Sequence, residues 1–394
     1  MRVNGQRLLK QLQHLGMIGF EEGKGTSRMA YSSAYLEGAA YVKGLMEEAG
    51  LTVTEDYVGN LLGTIQGKNP NRRIIATGSH LDSVPGGGIY DGPLGVLGAI
   101  ECIRTMKEQG YRPVHTLQVI AFEEEEGNVV GGTFGSRCMT GQPLDDSVLT
   151  KMKEHGMNEQ DVKDSRIDET QYAGYLELHI EQGGILEAHK KKIGIVGGIV
   201  GIVRFRTTVE GFSNHAGSTP MMLRDDAFEK TCRFVADLMD RVRAKNDTMV
   251  CTVGTISLDP GAVNVIPGRT EFVIEMRDRT MDEMYEVIDE MRRDYKEQGV
   301  TITQYLEQLE TPCAPEWMDV IRTAADNLGL SRMEMFSGAG HDMMNMGKVM
   351  PSAMIFIPSK DGVSHRIEEY SSPEDIENGA NVLLESLILL DQKA

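Results

Sequence analysis

The run Arg73-Ile74-Ile75-Ala76-Thr77-Gly78-Ser79-His80-Leu81-Asp82-Ser83-Val84-Pro85-Gly86-Gly87-Gly88-Ile89-Tyr90-Asp91-Gly92 decides how the rest of this chain is read. It opens on a short apolar segment bounded by turn signals, the pattern of a buried strand. At a strand end, residues two apart share a face, so the carboxylate of Asp82 can reach the ring of His80. A carboxylate on the far ring nitrogen is the arrangement that orients a metal-ligating imidazole. The glycines that follow let the backbone turn sharply and bring Asp91 back toward the same point. The ordered set predicts a metal site whose remaining ligands lie elsewhere in the chain.

Upstream, residues 1–66 read as helix, loop, long helix and strand, the long helix running from Ser33 to Ala49 with Gly50 as its stop. Downstream, a strand at about 73–77, a helix at about 93–109 and a strand at 116–122 are followed by strands near 175–180 and 192–196. Strands alternating with helices predict an α/β sheet covered on both faces. The character changes near 203. There the pattern reads strand 203–210, helix 220–243, strands 250–257 and 270–277, helix 281–297 and strand 300–308. That β-α-β-β-α-β order predicts a ferredoxin-like α+β domain inserted as a unit and closed by Pro312 and Pro315. The expectation is a catalytic domain split into 1–203 and 315–394 around an inserted domain at 204–314.

With 394 residues the chain is long enough for two domains, since single cores stop growing near ~250–300 residues. A formal net charge of -19 argues against nucleic acid or an anionic membrane as partner, and leaves small anionic substrates open. The five cysteines (Cys102, Cys138, Cys232, Cys251, Cys313) are odd in number and form no Cys-x-x-Cys pair. They predict free thiols in a reducing compartment. Met1-Arg2-Val3-Asn4-Gly5 opens no apolar signal core and no apolar run approaches ~20 residues, so a cytoplasmic location is expected.

Further candidate ligands follow apolar strands. Glu123-Glu124-Glu125-Glu126-Gly127 comes directly after Thr116–Phe122. Taken alone, such a run is a solvated acidic loop; at the C-terminal end of a strand it lies where α/β sheets build their sites. Two adjacent carboxylates there can divide labour, one ligating metal and the other serving as base. In Tyr175-Leu176-Glu177-Leu178-His179-Ile180-Glu181-Gln182-Gly183, alternation puts Glu177, His179 and Glu181 on one face. His179 there is either a satisfied polar residue or a ligand. His365 follows the apolar run Ala353–Ile357 in Asp361-Gly362-Val363-Ser364-His365. His80, Asp91, Glu126, His179 and His365 form an N/O set suited to Zn²⁺, Mn²⁺ or Co²⁺. Five ligands exceed the need of one tetrahedral zinc. A bridging carboxylate holding two metals ~3.5–4 Å apart would use all of them. Two more histidines sit in unusual loops, His215 in Ser213-Asn214-His215-Ala216-Gly217 and His341 in Gly338-Ala339-Gly340-His341-Asp342. Each is either a local backbone cap or a substrate-facing group. His14, His115, His155 and His189 have no supporting constellation.

Together these motifs resemble the hydantoinase/carbamoylase branch of the dinuclear metallo-amidohydrolases and peptidases, which includes N-carbamoyl-L-amino acid hydrolases, β-ureidopropionases and allantoate amidohydrolases. The resemblance runs from Gly23-Lys24-Gly25-Thr26-Ser27-Arg28 to Glu369-Tyr370-Ser371-Ser372-Pro373-Glu374-Asp375. It implies a zinc-exopeptidase-like catalytic domain with a central mixed sheet, and an inserted domain acting as lid and dimerisation surface. Asp91 would bridge two divalent metals, with His80 and His179 on one and Glu126 and His365 on the other. Glu125 would be the general base, Asp82 would orient His80, and His215 of a neighbouring subunit would stabilise the oxyanion. Asn264 and Arg277 would bind a substrate carboxylate, with Gln182 and His341 lining the pocket. The implied protein is a homodimer that hydrolyses N-carbamoyl-L-amino acids. Allantoate, an N-acyl amino acid or a small peptide is the alternative substrate. Two stretches depart from the family's usual pattern, Asn128-Val129-Val130-Gly131-Gly132 after the glutamates and Arg366-Ile367-Glu368 after His365.

Overall fold

The buried strand expected at 73–77 runs on to His80, so that the histidine is its last residue. In the computed structural model, which describes residues 1–393, the chain begins with helices α1 (Gly5–Met17) and α2 (Ser33–Ala49) and strands β1 (Thr52–Glu55) and β2 (Leu61–Ile65). Then come β3 (Ile74–His80), α3 (Pro93–Glu108), β4 (Leu117–Phe122), β5 (Tyr172–Ile180) and β6 (Ile193–Ile199). A second series holds β7 (Gly201–Glu210), α4 (Ala227–Lys245), β8 (Val250–Asp259), β9 (Arg269–Asp278), α5 (Met281–Asp294) and β10 (Val300–Gln308). The chain closes with α6 (Pro315–Asn327), β11 (Arg332–Ser337), β12 (Ser352–Ile357) and α7 (Pro373–Gln392), short helices and strands filling the connections. Two units result, residues 1–198 with the chain from Pro312 onward, and Ile199–Thr311.

The first unit is built on a mixed sheet in the order β6-β12-β5-β3-β4-β2-β1, with β11 also paired to β6. The middle strands β12, β5, β3 and β4 are parallel, while β6, β2 and β1 join antiparallel to their neighbours. Strands β4 and β12 are buried at every residue, and so is all but the first residue of β3. Such continuous burial is what a parallel sheet covered on both faces requires. Register places His80 opposite Phe122, and His179 opposite Phe356. Four strand ends therefore open their loops at one edge of the sheet, the edge at which α/β sheets carry ligands.

Local signals set the helix ends. The Ser32 hydroxyl caps α2 by accepting from the Tyr35 amide, and Gly50 at φ 94° ends it in the left-handed region. Ser372 caps α7, with Pro373 in its first turn. The helix expected from 220 begins instead at Ala227. Met221–Leu223 forms a short 3₁₀ turn, and the carboxylate of Asp226 accepts from the Phe228 and Glu229 amides, which makes Asp226 the true cap.

In the second unit the elements run β-α-β-β-α-β, and the sheet order is β8-β9-β7-β10 with every pairing antiparallel. Burial along β9 alternates strictly. Phe205, Phe234, Leu238, Phe272, Ile274, Met284 and Ile288 form part of the core between this sheet and its two helices. All five cysteines are free thiols. Among the described residues no helix is long and apolar enough to cross a membrane.

Helix α3 can lie against the central strands because it carries Gly95 at the crossing. A Cβ there would fall 2.5 Å from the Leu178 carbonyl oxygen and 2.7 Å from the Ser79 Cβ. Helix propensity alone would favour alanine by about 1 kcal/mol, but the clash is with backbone and cannot be relieved by a rotamer change. Gly95→Ala is therefore expected to lower stability by about 1–3 kcal/mol in urea unfolding. A stabilised variant would show that α3 is free to shift.

Candidate metal centre

The loops at the edge carrying His80 and His179 converge on the carboxylate of Asp91, which is 6% exposed. His80 ends β3 and His179 is the penultimate residue of β5. Their Nε2 atoms lie 3.4 Å and 3.2 Å from Asp91 Oδ1. On the other side, His365 Nε2 lies 3.3 Å from Asp91 Oδ2 and 3.6 Å from Glu126 Oε2. His80, Asp91 and His179 thus form one candidate ligand group, and Asp91, Glu126 and His365 a second, sharing Asp91. All five residues singled out as ligands in the sequence come together. Two buried atoms of these residues have no hydrogen-bond partner, His179 Nε2 and Glu126 Oε1. An unpartnered imidazole nitrogen and an unpartnered carboxylate oxygen, in a set of N and O donors, fit divalent cations.

The first ring of neighbours holds the ligands by their far sides. His80 Nδ1 lies 3.1 Å from the Asp82 carbonyl oxygen and 3.4 Å from Asp82 Oδ1. The Asp82 carboxylate does more than face His80: Oδ1 accepts from the Glu125 amide at 3.1 Å and Oδ2 from the Glu126 amide at 3.0 Å. His179 Nδ1 donates to the Ile180 carbonyl at 2.9 Å, which leaves Nε2 as the lone-pair nitrogen. Glu125 sits behind the cluster, its Oε2 3.9 Å from His80 Nε2. Gln182 Nε2 donates to Asp91 Oδ2 at 2.6 Å. His341 packs edge-on against the His179 ring at 4.4 Å, with its Nε2 2.9 Å from the Ser337 hydroxyl.

Three residues to which sequence reasoning assigns no role complete the frame. Glu369 accepts from the Tyr90 and Asp91 amides at 3.0 and 3.2 Å and from the Ser364 hydroxyl at 2.8 Å. The same Ser364 Oγ, with one proton to share, lies 3.0 Å from Asp91 Oδ2. Glu177 accepts from the Ser79 hydroxyl and the Met343 amide, and with His179 and His341 it forms a third possible ligand group. Ser364 could have been marked by its place beside His365; nothing local marks Glu369.

Burial and neighbouring charge divide the protons. Burial works to raise the Asp91 carboxyl, but contacts from His179, His365 and His80 hold it well below the usual carboxylate range. The Asp91 contact pushes His365 up to about 9 against the opposing effect of burial. Burial, with Asp91 adding repulsion, pushes Glu126 up to about 7. Glu125 is raised well above an ordinary glutamate, chiefly by burial and also by Glu126, with His80 opposing. Burial, reinforced by His179, keeps His341 well below the ordinary histidine value and so neutral.

The remaining sequence candidates, His215, Asn264 and Arg277, belong to the second unit. His215 and Asn264 are neighbours there. His215 bridges to Val265, and the Ala216 amide donates to the Asn264 carbonyl at 3.0 Å. His215 Nδ1 accepts from the Gly217 and Ser218 amides at 3.0 and 3.1 Å, so in the neutral ring the proton is on Nε2, which is left as a donor. Arg277, near the end of β9, pairs with Glu275 at 2.8 Å.

Residues 76–388 match the model of peptidase family M20/M25/M40. The chain is 36% identical to an N-carbamoyl-L-amino acid amidohydrolase of Geobacillus stearothermophilus, over 99% of both chains. It is 34% identical to an allantoate amidohydrolase of Bacillus subtilis, over 96% of both. A crystal structure of a hydantoinase/carbamoylase family amidase from Burkholderia multivorans superposes with a TM-score of 0.91 at 31% identity, covering 100% of this chain and 99% of that one. The chain belongs to the M20/M25/M40 family.

Cation binding must displace the protons that the carboxylates hold on this cluster, because only a neutral imidazole and an ionised carboxylate are ligands. Below about 7 both Glu126 and His365 are protonated, and between about 7 and 9 both give up their protons more readily. Apparent Mn²⁺ affinity in equilibrium dialysis should therefore rise with pH across that interval. A flat profile would remove the two residues from the ligand set.

Proposed function

We propose that this member of the family is a metal-dependent amidohydrolase that acts on N-carbamoyl-L-amino acids, yielding the amino acid, ammonia and carbon dioxide. The observation that carries this is the doubly engaged Asp91 carboxylate with Glu125 set behind it, in a chain alike end to end to a carbamoyl amino acid amidohydrolase. Two divalent cations (Zn²⁺, Mn²⁺ or Co²⁺) held by His80, Asp91, His179, Glu126 and His365 would supply, when bound, Lewis acidity toward water and the ureido carbonyl.

Glu125 takes a proton from the hydrolytic water and returns it to the leaving nitrogen. A carboxyl raised by burial suits both halves of that exchange near neutral pH. Asp82 positions Glu125 and Glu126 through their amides while facing the far nitrogen of His80. The Nε2–H of His215, from a neighbouring subunit, donates to the developing oxyanion. Arg277 leaves Glu275 to clamp the substrate carboxylate, where a planar guanidinium offers two parallel hydrogen bonds. Asn264, Gln182 and His341 line the same pocket, His341 as a neutral ring.

In the same proposal, residues 204–314 form a ferredoxin-like lid and dimerisation domain, and 1–203 with 315–394 form the zinc-exopeptidase-like catalytic domain. The protein works as a homodimer in the cytoplasm on a small substrate that carries a carboxylate. Allantoate is the second reading, favoured by the comparable likeness to the Bacillus subtilis enzyme. An N-acyl amino acid or a small peptide would use the same centre.

Glu125→Gln should lower turnover by about 100- to 10,000-fold, with the divalent metal content by elemental analysis unchanged. Retained turnover would remove Glu125 from the role of base. Arg277→Ala should raise KM by about 10-fold or more for N-carbamoyl amino acids and leave an uncharged carbamoyl amine unaffected; an equal loss on both would contradict carboxylate binding. Ammonia release across carbamoyl amino acids, acyl amino acids and allantoate, with each metal supplied to apo protein, separates the substrate readings.

A further inference from the structure

The stretch Gly23–Arg28 holds none of the candidate ligands, yet it lies along the loop that joins two of them. Thr26 and Gly87 exchange both of their backbone hydrogen bonds, and the Gly86 amide donates to the Ser27 hydroxyl at 3.0 Å. Arg28 and Ser83 are tied twice. The Ser83 amide donates to the Arg28 carbonyl at 3.1 Å, and the Arg28 amide donates to the Ser83 hydroxyl at 2.9 Å. Gly25, at φ 104°, permits the close approach, since a Cβ there would fall 2.6 Å from the Gly86 carbonyl oxygen. The glycine loop between His80 and Asp91 is thus braced by a segment from far upstream.

The Arg28 side chain extends that brace to the metal centre. It is 0% exposed. Its Nε donates at 2.8 Å to the carbonyl of Leu81, the residue between His80 and Asp82. Its Nη1 donates to the carbonyls of Leu15 and Ile18 at 2.9 and 3.4 Å, at the C-terminal end of α1, where the helix dipole suits a cation. Helix α2 makes room for this side chain, because a Cβ at Gly38 would fall 2.8 Å from Arg28 Cδ. None of the side-chain bonds goes to a carboxylate, and Nη2 has no partner. Burial pulls the guanidinium down to about 10, with Asp82 opposing, so it stays charged at neutral pH. A buried charge is costly, and apolar residues of similar volume often serve stability as well or better. What an apolar side chain lacks is a rigid fork that reaches carbonyls on two sides.

We propose that Arg28 is a positioning residue for the metal centre: by tying the Leu81 carbonyl to the end of α1, it fixes His80 and Asp82 in the arrangement that holds a cation. Arg28 touches neither cation nor substrate and acts through the backbone that links these two residues. The inference rests on the reading of His80 as a ligand. Lysine is no equivalent, because one ammonium on a flexible stem does not offer the planar fork.

Equilibrium dialysis of the full-length protein against Mn²⁺, with urea unfolding of the same samples, tests this. Arg28→Met should raise the Mn²⁺ dissociation constant by ~10- to 100-fold, the usual effect of removing a group that orients a ligand. Arg28→Lys should fall between that variant and the wild type, and carries the test should Arg28→Met not fold. Wild-type Mn²⁺ affinity in either folded variant, with at most a lower urea midpoint, would make the arginine purely structural and overturn the proposal. Absence of saturable Mn²⁺ binding by the wild-type protein would instead overturn the metal centre, and the role of Arg28 with it.

Discussion

The C-terminal edge of the parallel strands is governed by one constraint, the burial of negative charge. Asp82, Asp91, Glu124, Glu177, Asp342 and Glu369 are each less than a tenth exposed. An ionised carboxylate taken out of water costs several kcal/mol unless donors or positive charge replace its hydration. The chain meets much of this cost with its own backbone. Two amides serve Asp82, three serve Glu124 and two serve Glu369, while Glu177 takes a hydroxyl and an amide. The backbone does not reach the Asp91 carboxylate, which is met by three histidines, and it leaves Glu126 Oε1 and both oxygens of Asp342 without a partner.

Each backbone-paired carboxylate also ties loops that the sheet alone would leave independent. Asp82, after β3, holds Glu125 and Glu126 in the loop after β4, the proposed base and a candidate ligand. Glu369, in the loop before α7, holds the amides at 90 and 91 that lead into α3. The cost shows in the backbone: Glu124, Gln182 and His365 stand at φ 54°, 56° and 59° without being glycine. Such conformations persist where surrounding bonds over-determine them, and here they cluster at the candidate site. The candidate ligands are therefore positioned by a hydrogen-bonded frame of the protein's own groups.

How much of this is legible in sequence depends on the range of the interaction. Strand ends, glycine turns and the spacing of His80, Asp82 and Asp91 are local, and so a covered α/β sheet and the convergence of the candidate ligands could be anticipated. Contacts that close over long separations could not. Glu369 meets Asp91 across 278 residues, and no pattern near Glu369 records it. Alternation along β5 grouped Glu177 with His179, but it could not show that Glu177 would be consumed by Ser79 and Met343. The start of α4 was misplaced for the opposite reason. Competing local signals, a proline at 220 and a capping carboxylate at 226, lie within two turns of each other, and only the observed bonds choose Asp226.

Asp91, Ser364 and Glu369 form a closed ring. Glu369 accepts from the Asp91 amide, and the single Ser364 hydroxyl proton lies between Glu369 Oε2 and Asp91 Oδ2, at 2.8 and 3.0 Å from Oγ. Ser364 is bonded directly to His365, so the ring fixes the loop carrying one ligand to the carboxylate that both candidate groups share. The spacing between the two halves is then not a property of the sheet, which places only His80 and His179. It is set by a loop-to-loop device built from one aspartate, one glutamate and one serine. The departures from the family's pattern contribute no side chain to that device, although the Glu369 amide donates to the Arg366 carbonyl at 3.0 Å. Arg366 pairs with exposed Glu368, and the 129–131 segment meets Glu124 through backbone amides. Side chains can change at those positions while the hydrogen bonds around Asp91 stay whole.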